Sequence, residues 1–107
     1  MKAQSAYAFF YEDQQLMKFF YDNKMTARLM DPQQKPEIYY TSFYSQALGD
    51  QPAWYWDNNN AKVRTVNFDS SFKDYKPKRL SYFFAGMIQL SSITNFQFLN
   101  AIAANNM

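Results

Sequence analysis

The residue types that most often carry catalysis are missing from this chain. It contains no histidine and no cysteine among its 107 residues. Histidine is the commonest general base and metal ligand, and cysteine supplies thiolate nucleophiles and zinc ligands. Nucleophilic sites of the Ser–His or Cys–His type are therefore excluded, as are disulfides and zinc–thiolate sites.

The remaining acidic residues show no spacing typical of a metal site or a catalytic pair. Glu12 and Asp13 are adjacent, so their side chains point in different directions, and the start of a helix explains them better than catalysis does. The only two glycines, Gly49 and Gly86, lie too far apart to form a glycine-rich phosphate loop. We therefore expect a protein that is not an enzyme and binds no cofactor or metal.

Aromatic and basic residues in the second half of the chain indicate an alternative function, binding of single-stranded nucleic acid. Trp54 and Trp56 would stack on bases while cations contact phosphates. In a strand these two tryptophans share one face and Tyr55 lies on the other, so they could equally belong to the core. The formal net charge of +2 is a weak electrostatic signal for this function. The basic candidates are Lys62, Arg64, Lys73, Lys76, Lys78 and Arg79.

A compact toxin-like ribonuclease that uses Arg, Lys and Tyr is a further alternative, and the weak net charge also counts against it.

The aromatic content favours a protein partner. Aromatic residues make up 21% of the chain, with nine Tyr and eleven Phe, and interface cores are enriched in Tyr, Trp, Phe and Met. We expect binding to a protein partner or to a second copy, with a homodimer as the expected assembly. The candidate contact residues are Ile93, Phe96, Trp54, Tyr55 and Trp56. In style, though in no shared motif, such a chain resembles the accessory and inhibitor proteins of phages and mobile elements.

The stretch from residue 80 to 107 contains no charged side chain. Its apolar residues recur at helical spacing, which predicts a long C-terminal helix with one apolar face. Ile93 and Phe96 lie away from that face, which suggests a contact with another molecule. A membrane span is the alternative, but Gln and Asn residues spread through the segment disfavour it. We therefore expect no membrane insertion and a cytoplasmic location, in the host cell if the chain is of phage origin.

The N-terminal half shows shorter patterns. Residues 5–11 alternate and predict a strand, and residues 13–22 carry apolar residues at helical spacing after a capping Asp13. A single helix over 5–30 is the alternative. Residues 25–30 alternate in a two-residue pattern that is typical of a strand.

The central residues predict further strands. Residues 38–44 are β-branched and aromatic, and residues 53–56 and 61–68 flank an Asn-rich loop, which indicates a hairpin. Together these elements predict a single α+β domain over residues 1–107. Its antiparallel sheet would have four to five strands, with one short N-terminal helix and one long C-terminal helix packed on one face.

Overall fold

The computed structural model describes residues 4–44, 51–76 and 82–99. Five strands and two short α-helices lie in these ranges, together with three short 3-10 helices. In chain order they are β1 (Ser5–Tyr11), β2 (Leu16–Asp22), α1 (Met25–Met30), β3 (Ile38–Tyr40), α2 (Ala53–Trp56), the 3-10 helix Asn59–Lys62, β4 (Thr65–Phe68), the 3-10 helix Ser70–Asp74, β5 (Ser92–Thr94) and the 3-10 helix Phe96–Phe98.

The five strands form one mixed sheet in the order β3-β1-β2-β4-β5. β1 pairs antiparallel with both β2 and β3, whereas β4 pairs parallel with both β2 and β5. The prediction of an antiparallel sheet was therefore wrong. Parallel neighbours need long connections rather than tight turns, and the sequence pattern of single strands does not reveal which neighbour each strand selects.

The hairpin β1–β2 occupies the centre of the sheet. The prediction of a strand at residues 5–11 is confirmed. The short N-terminal helix predicted over 13–22 is wrong, because Leu16–Asp22 is a strand and Glu12–Gln15 form the turn before it. Gln15 adopts a left-handed backbone with φ of 52°, a conformation that usually selects glycine or asparagine. The sequence at this turn therefore carries no recognisable turn signal.

The misassigned helix has a physical cause. As an inner strand with both faces covered by side chains, β2 buries Met17 and Phe19 on one face and Phe20 on the other. Such a strand shows a nearly continuous apolar run without two-residue alternation. Periodicity alone does not distinguish such a run from part of a helix.

The first face of the sheet carries the larger core. It is covered by α2, by the 3-10 helix Ser70–Asp74 and by residues 82–90. Five rings pack around Phe19: Phe43 and Trp54 edge to face, Phe72 and Phe83 tilted, and Phe68 stacked. Aromatic side chains bury large areas and prefer such tilted arrangements. The fully buried side chains of this core are Ala8, Phe10, Met17, Phe19, Trp54, Val63, Val66, Phe68, Phe72 and Phe83.

The second face carries a smaller core of Tyr7, Phe9, Tyr11 and Phe20, against which Met25 and Leu29 of α1 pack. The two-residue alternation over 25–30 predicted a strand and was wrong, because these residues form α1. A helix places residues three and four apart on one face, so Met25 and Leu29 both reach the sheet. The alternative of one helix over 5–30 is likewise wrong.

An ion pair fixes α1 to β2. Arg28 Nη2 lies 3.0 Å from Asp22 Oδ2, and Tyr7 Oη donates to Asp22 Oδ1 at 2.6 Å. Arg28 Nε also donates to Tyr7 Oη at 3.0 Å, and the guanidinium lies over the Phe20 ring at 4.3 Å. Asp22 is only 7% exposed, so the carboxylate depends on these donors to remain satisfied.

The structure corrects part of the predictions for residues 38–68. The predicted strand 38–44 is a strand only over Ile38–Tyr40, and the chain then leaves the edge of the sheet. The predicted hairpin over 53–68 is wrong, since its first arm is α2 and only Thr65–Phe68 of its second arm is a strand. Asn58 does adopt the left-handed conformation, with φ of 64°, but it precedes a 3-10 helix rather than a return strand.

The prediction of a long C-terminal helix is wrong for the residues that the structure describes. Over residues 82–99 the chain forms turns, the parallel edge strand β5 and the 3-10 helix Phe96–Phe98. Tyr82, Gly86 and Asn95 all have positive φ values, which a continuous right-handed helix does not contain. Within the described ranges, no helix combines the length and the apolar character that a membrane crossing requires.

Candidate interaction surface

The two tryptophans of α2 lie in opposite environments. Trp54 is 0% exposed, and its ring lies 5.1–5.4 Å from the rings of Phe19, Phe43 and Phe83. Its Nε1 donates to the Phe83 carbonyl oxygen at 3.0 Å. The structure therefore places Trp54 in the core, where no face of its ring can reach a partner or a base, whereas Trp56 is 55% exposed.

Trp56 and Tyr82 are exposed and Tyr55 is half-buried, and we call these three residues the aromatic surface. The rings of Tyr55 and Tyr82 lie 6.4 Å apart between centroids, and Tyr82 is 49% exposed. Ile88, which is 83% exposed, follows on the same segment as Tyr82. The stretches that carry these residues, 51–56 and 82–99, contain no charged side chain.

Hydrogen bonds hold the two parts of the aromatic surface together. Asn60 Nδ2 donates to the Ala85 carbonyl oxygen at 2.8 Å, and Gln89 Nε2 donates to the Ala61 carbonyl oxygen at 3.1 Å. With the Trp54–Phe83 bond, three hydrogen bonds join the α2 region to residues 82–90. Surface residues fixed in this way lose little conformational freedom on binding.

A second network fixes the C-terminal end of α2. Tyr40 Oη donates to Asp57 Oδ2 at 2.6 Å and accepts from Asn59 Nδ2 at 2.9 Å. Burial and the hydrogen bond to the Asp57 carboxylate both raise the pKa of the Tyr40 phenol above its ordinary value. The phenol is therefore neutral at physiological pH and acts as a structural donor.

Gly86 is the glycine on which this arrangement depends. Its φ is +75°, and a Cβ atom at this position would lie 2.4 Å from Asn60 Nδ2 and 3.8 Å from Tyr55 Cε2. An L-residue would therefore be strained in its backbone and would collide with the amide that bonds Ala85.

We expect Gly86→Ala to lower the free energy of unfolding by about 1–3 kcal/mol. Urea denaturation followed by circular dichroism measures the loss. In an Asn60→Ala background the collision is absent, so Gly86→Ala should cost less there than in the wild type. An equal cost in both backgrounds would show that the Asn60 contact is not the cause.

The other partner-binding candidates lie on the far side of β4. Ile93 is half-buried in β5 and packs against the larger core, while Phe96 is 44% exposed with its ring 6.3 Å from that of Phe68. Tyr55 and Trp56 are neighbours in α2, whereas Ile93 lies in β5 and Phe96 begins the following 3-10 helix.

The basic candidates do not line one groove in the described residues. Lys62 pairs with Glu12 at 3.4 Å, and both side chains are largely exposed. Arg64 is exposed just before β4, while its backbone bonds Gln15 and Ser91. Lys73 and Lys76 are exposed at and after the 3-10 helix Ser70–Asp74, and Lys78 and Arg79 lie outside the described residues.

Sequence reasoning missed Tyr82 and Ile88. The available signal was the lack of charge over residues 80–107. Where such a stretch is exposed, it indicates an interaction surface. The helical wheel, which assumed a regular helix, placed Ile88 on the apolar face that the core would cover and singled out Ile93 and Phe96 as contact residues instead.

Neither a metal site in the described residues nor a known relative assigns a role to the aromatic surface. Among residues 4–44, 51–76 and 82–99, no group of three acidic side chains could hold a metal ion. Comparison of the chain with protein-family models, curated proteins and solved structures finds no match.

Proposed function

We propose that this chain is a non-enzymatic protein that binds a protein partner, and that the partner is a second copy of the chain. The aromatic surface of Tyr55, Trp56 and Tyr82 would form the centre of the contact. The exposure of Trp56 and Tyr82 on two stretches without charge is the observation that carries the proposal. A location in the cytoplasm stays a prediction from the sequence.

The composition of this surface supports a protein partner. Interface cores are depleted in charge, and Trp and Tyr are enriched among the residues that contribute most to binding. Such rings combine a large apolar area with a polar group that can bond across the contact. The hydrogen bonds from Asn60 and Gln89 hold the two stretches in place before binding.

The same composition supports a second copy as the partner. In a two-fold contact the same patch lies on both sides, so a patch with a net charge would meet its own sign. An aromatic surface carried by uncharged stretches meets no such repulsion. A strongly charged partner would leave the polar groups of its own surface unpaired against these rings.

Sedimentation equilibrium tests the proposal. We expect the wild type to dimerise with a dissociation constant in the micromolar range, so that dimer dominates at about 100 µM. Trp56→Ala and Tyr82→Ser should each weaken the dimer by about tenfold or more, as truncation of a central aromatic residue does.

Tyr39→Ser is the matched control. Tyr39 is 51% exposed, but it lies in β3 opposite Phe9, on the second face of the sheet. Its replacement should leave the dimer unchanged. A wild type that is strictly monomeric at about 100 µM, or an equal loss in Tyr39→Ser, would overturn the proposal.

A further inference from the structure

A groove opens where β3 separates from β1. The register pairs Ala8 with Tyr40 and Phe10 with Ile38, so a longer β3 would place Thr41 and Ser42 opposite the start of β1. The chain turns away instead: Phe43 packs in the larger core, and its carbonyl oxygen accepts from Ala53 N at 2.8 Å. A groove of about 450 Å³ lies in the space left between the two segments.

One wall of this groove is aromatic and well supported. It includes Phe43, Tyr44 and Tyr75. The Tyr75 ring packs 5.0 Å from Phe72 and 5.3 Å from Tyr21 between centroids, so its position is fixed from behind. Such a wall favours a flat apolar or aromatic group.

The rest of the lining is polar and carries one positive charge. Ser5 and Thr41 contribute hydroxyl groups and Lys76 contributes an ammonium group, while the Ser42 hydroxyl group donates to the Tyr44 carbonyl oxygen at 3.2 Å. None of the lining residues is acidic. A carboxylate would find both a cation and hydroxyl donors here, whereas a cationic ligand would meet like charge.

We propose that this groove binds a small organic acid in which an aromatic ring is joined to a carboxylate. The ring would lie against Phe43 and Tyr75, and the carboxylate would contact Lys76. The volume lies within the range of small-molecule sites in proteins, and the arrangement of one apolar wall with a few polar groups is typical of them. The groove shares no lining residue with the aromatic surface, so this inference is independent of the proposed function.

A pair of isosteric probes tests the charge requirement. Phenylacetate and phenylacetamide differ in charge but hardly in shape, and both are titrated into the ¹⁵N-labelled full chain at pH 7. We expect phenylacetate to shift the amide signals of Ser5, Thr41 and Ser42, and to bind about three- to fivefold more tightly than phenylacetamide. A preference of that size corresponds to an ion pair with a solvent-exposed lysine.

Two lysine variants then locate the preference. Lys76→Gln should abolish the difference between the two probes, while Lys73→Gln should preserve it, because Lys73 is exposed nearby but does not line the groove. Both positions are exposed, so neither variant should affect folding. Equal affinity of the two probes for the wild type, shifts confined to other residues, or an unchanged preference in Lys76→Gln would each overturn the proposal.

Discussion

Replacement of Trp54 by alanine is expected to lower the free energy of unfolding by about 3–5 kcal/mol, the usual cost of truncating a large buried aromatic residue. The ring packs against Phe19, Phe43 and Phe83, so its removal leaves a cavity that joins α2, the sheet and residues 82–90. The Phe83 carbonyl oxygen also loses its donor. Small domains have total stabilities of about 5–15 kcal/mol, so this single change removes a large share.

Trp56→Ala is the matched control, because it changes the same residue type two positions away. Trp56 is 55% exposed, and its replacement should change the stability of the monomer by about 1 kcal/mol or less, measured at protein concentrations below the dimer dissociation constant. Urea denaturation followed by far-ultraviolet circular dichroism measures both variants. If Trp54→Ala does not fold, Trp54→Phe keeps a six-membered ring but loses the Nε1 donor and part of the buried ring volume, at a cost of about 1–3 kcal/mol. Similar costs for the two alanine variants would contradict the burial of Trp54.

Replacement of Arg28 by methionine is the second large effect, with an expected loss of about 2–4 kcal/mol. The Asp22 carboxylate would stay buried while it loses the guanidinium that lies 3.0 Å away. Removing one partner of a buried ion pair is costly because the remaining charge stays desolvated. Methionine keeps most of the apolar contact with Phe20, so packing changes little.

A double-mutant cycle isolates the ion pair from other effects. Asp22→Asn removes the carboxylate charge, so Arg28→Met should cost less in that background, with a coupling energy of about 1–3 kcal/mol. A coupling energy below about 0.5 kcal/mol would show that the pair behaves like an exposed one.

The same pair gives the stability a pH dependence whose sign follows from the Asp22 pKa. Burial acts to raise this pKa, but hydrogen bonds from Tyr7, Lys24 and Arg28 outweigh burial and hold the pKa below its ordinary value. A carboxyl group whose pKa is lower in the folded state stabilises the fold above the pKa of the unfolded chain, about 3.9. That stabilisation is lost as the pH falls through the folded pKa. Asp22→Asn should therefore show a smaller loss of stability below about pH 4.

The central hairpin shows what the sequence could and could not predict. β1 was predicted because its alternation agrees with its propensity. Both strands of the hairpin contact both cores. β2 was not predicted because its apolar residues Leu16, Met17, Phe20 and Tyr21 also recur at helical spacing. The turn between the strands uses Gln15 in a left-handed conformation, so no glycine or asparagine marked it.

The sequence predicted the aromatic composition of the candidate site but not the direction in which each side chain points. The composition of residues 53–56 indicated an aromatic contact group, and the structure exposes Trp56 while Tyr55 is half-buried. The assumption of a strand placed Trp54 and Trp56 on one face. In a helix, residues two apart point in nearly opposite directions, so one tryptophan enters the core and the other faces solvent.

The uncharged stretch was misassigned because a helical wheel does not report backbone strain. Tyr82 and Asn95 have positive φ values, which interrupt a regular helix and which a pattern of apolar residues does not reveal. Ser92–Thr94 instead extends the sheet as a parallel edge strand, and β-branched residues are suited to that position.

The parallel pairing of β4 with both β2 and β5 has a consequence for the order of folding. The β1–β2 turn closes a short loop and can form within microseconds, whereas β4 must join β2 across a connection of more than forty residues, from Asp22 to Thr65. Loops of that length close late, and chains rich in distant pairings fold slowly. We therefore expect the β1–β2 hairpin to form first, and β5 to join the sheet after β4, with which it pairs.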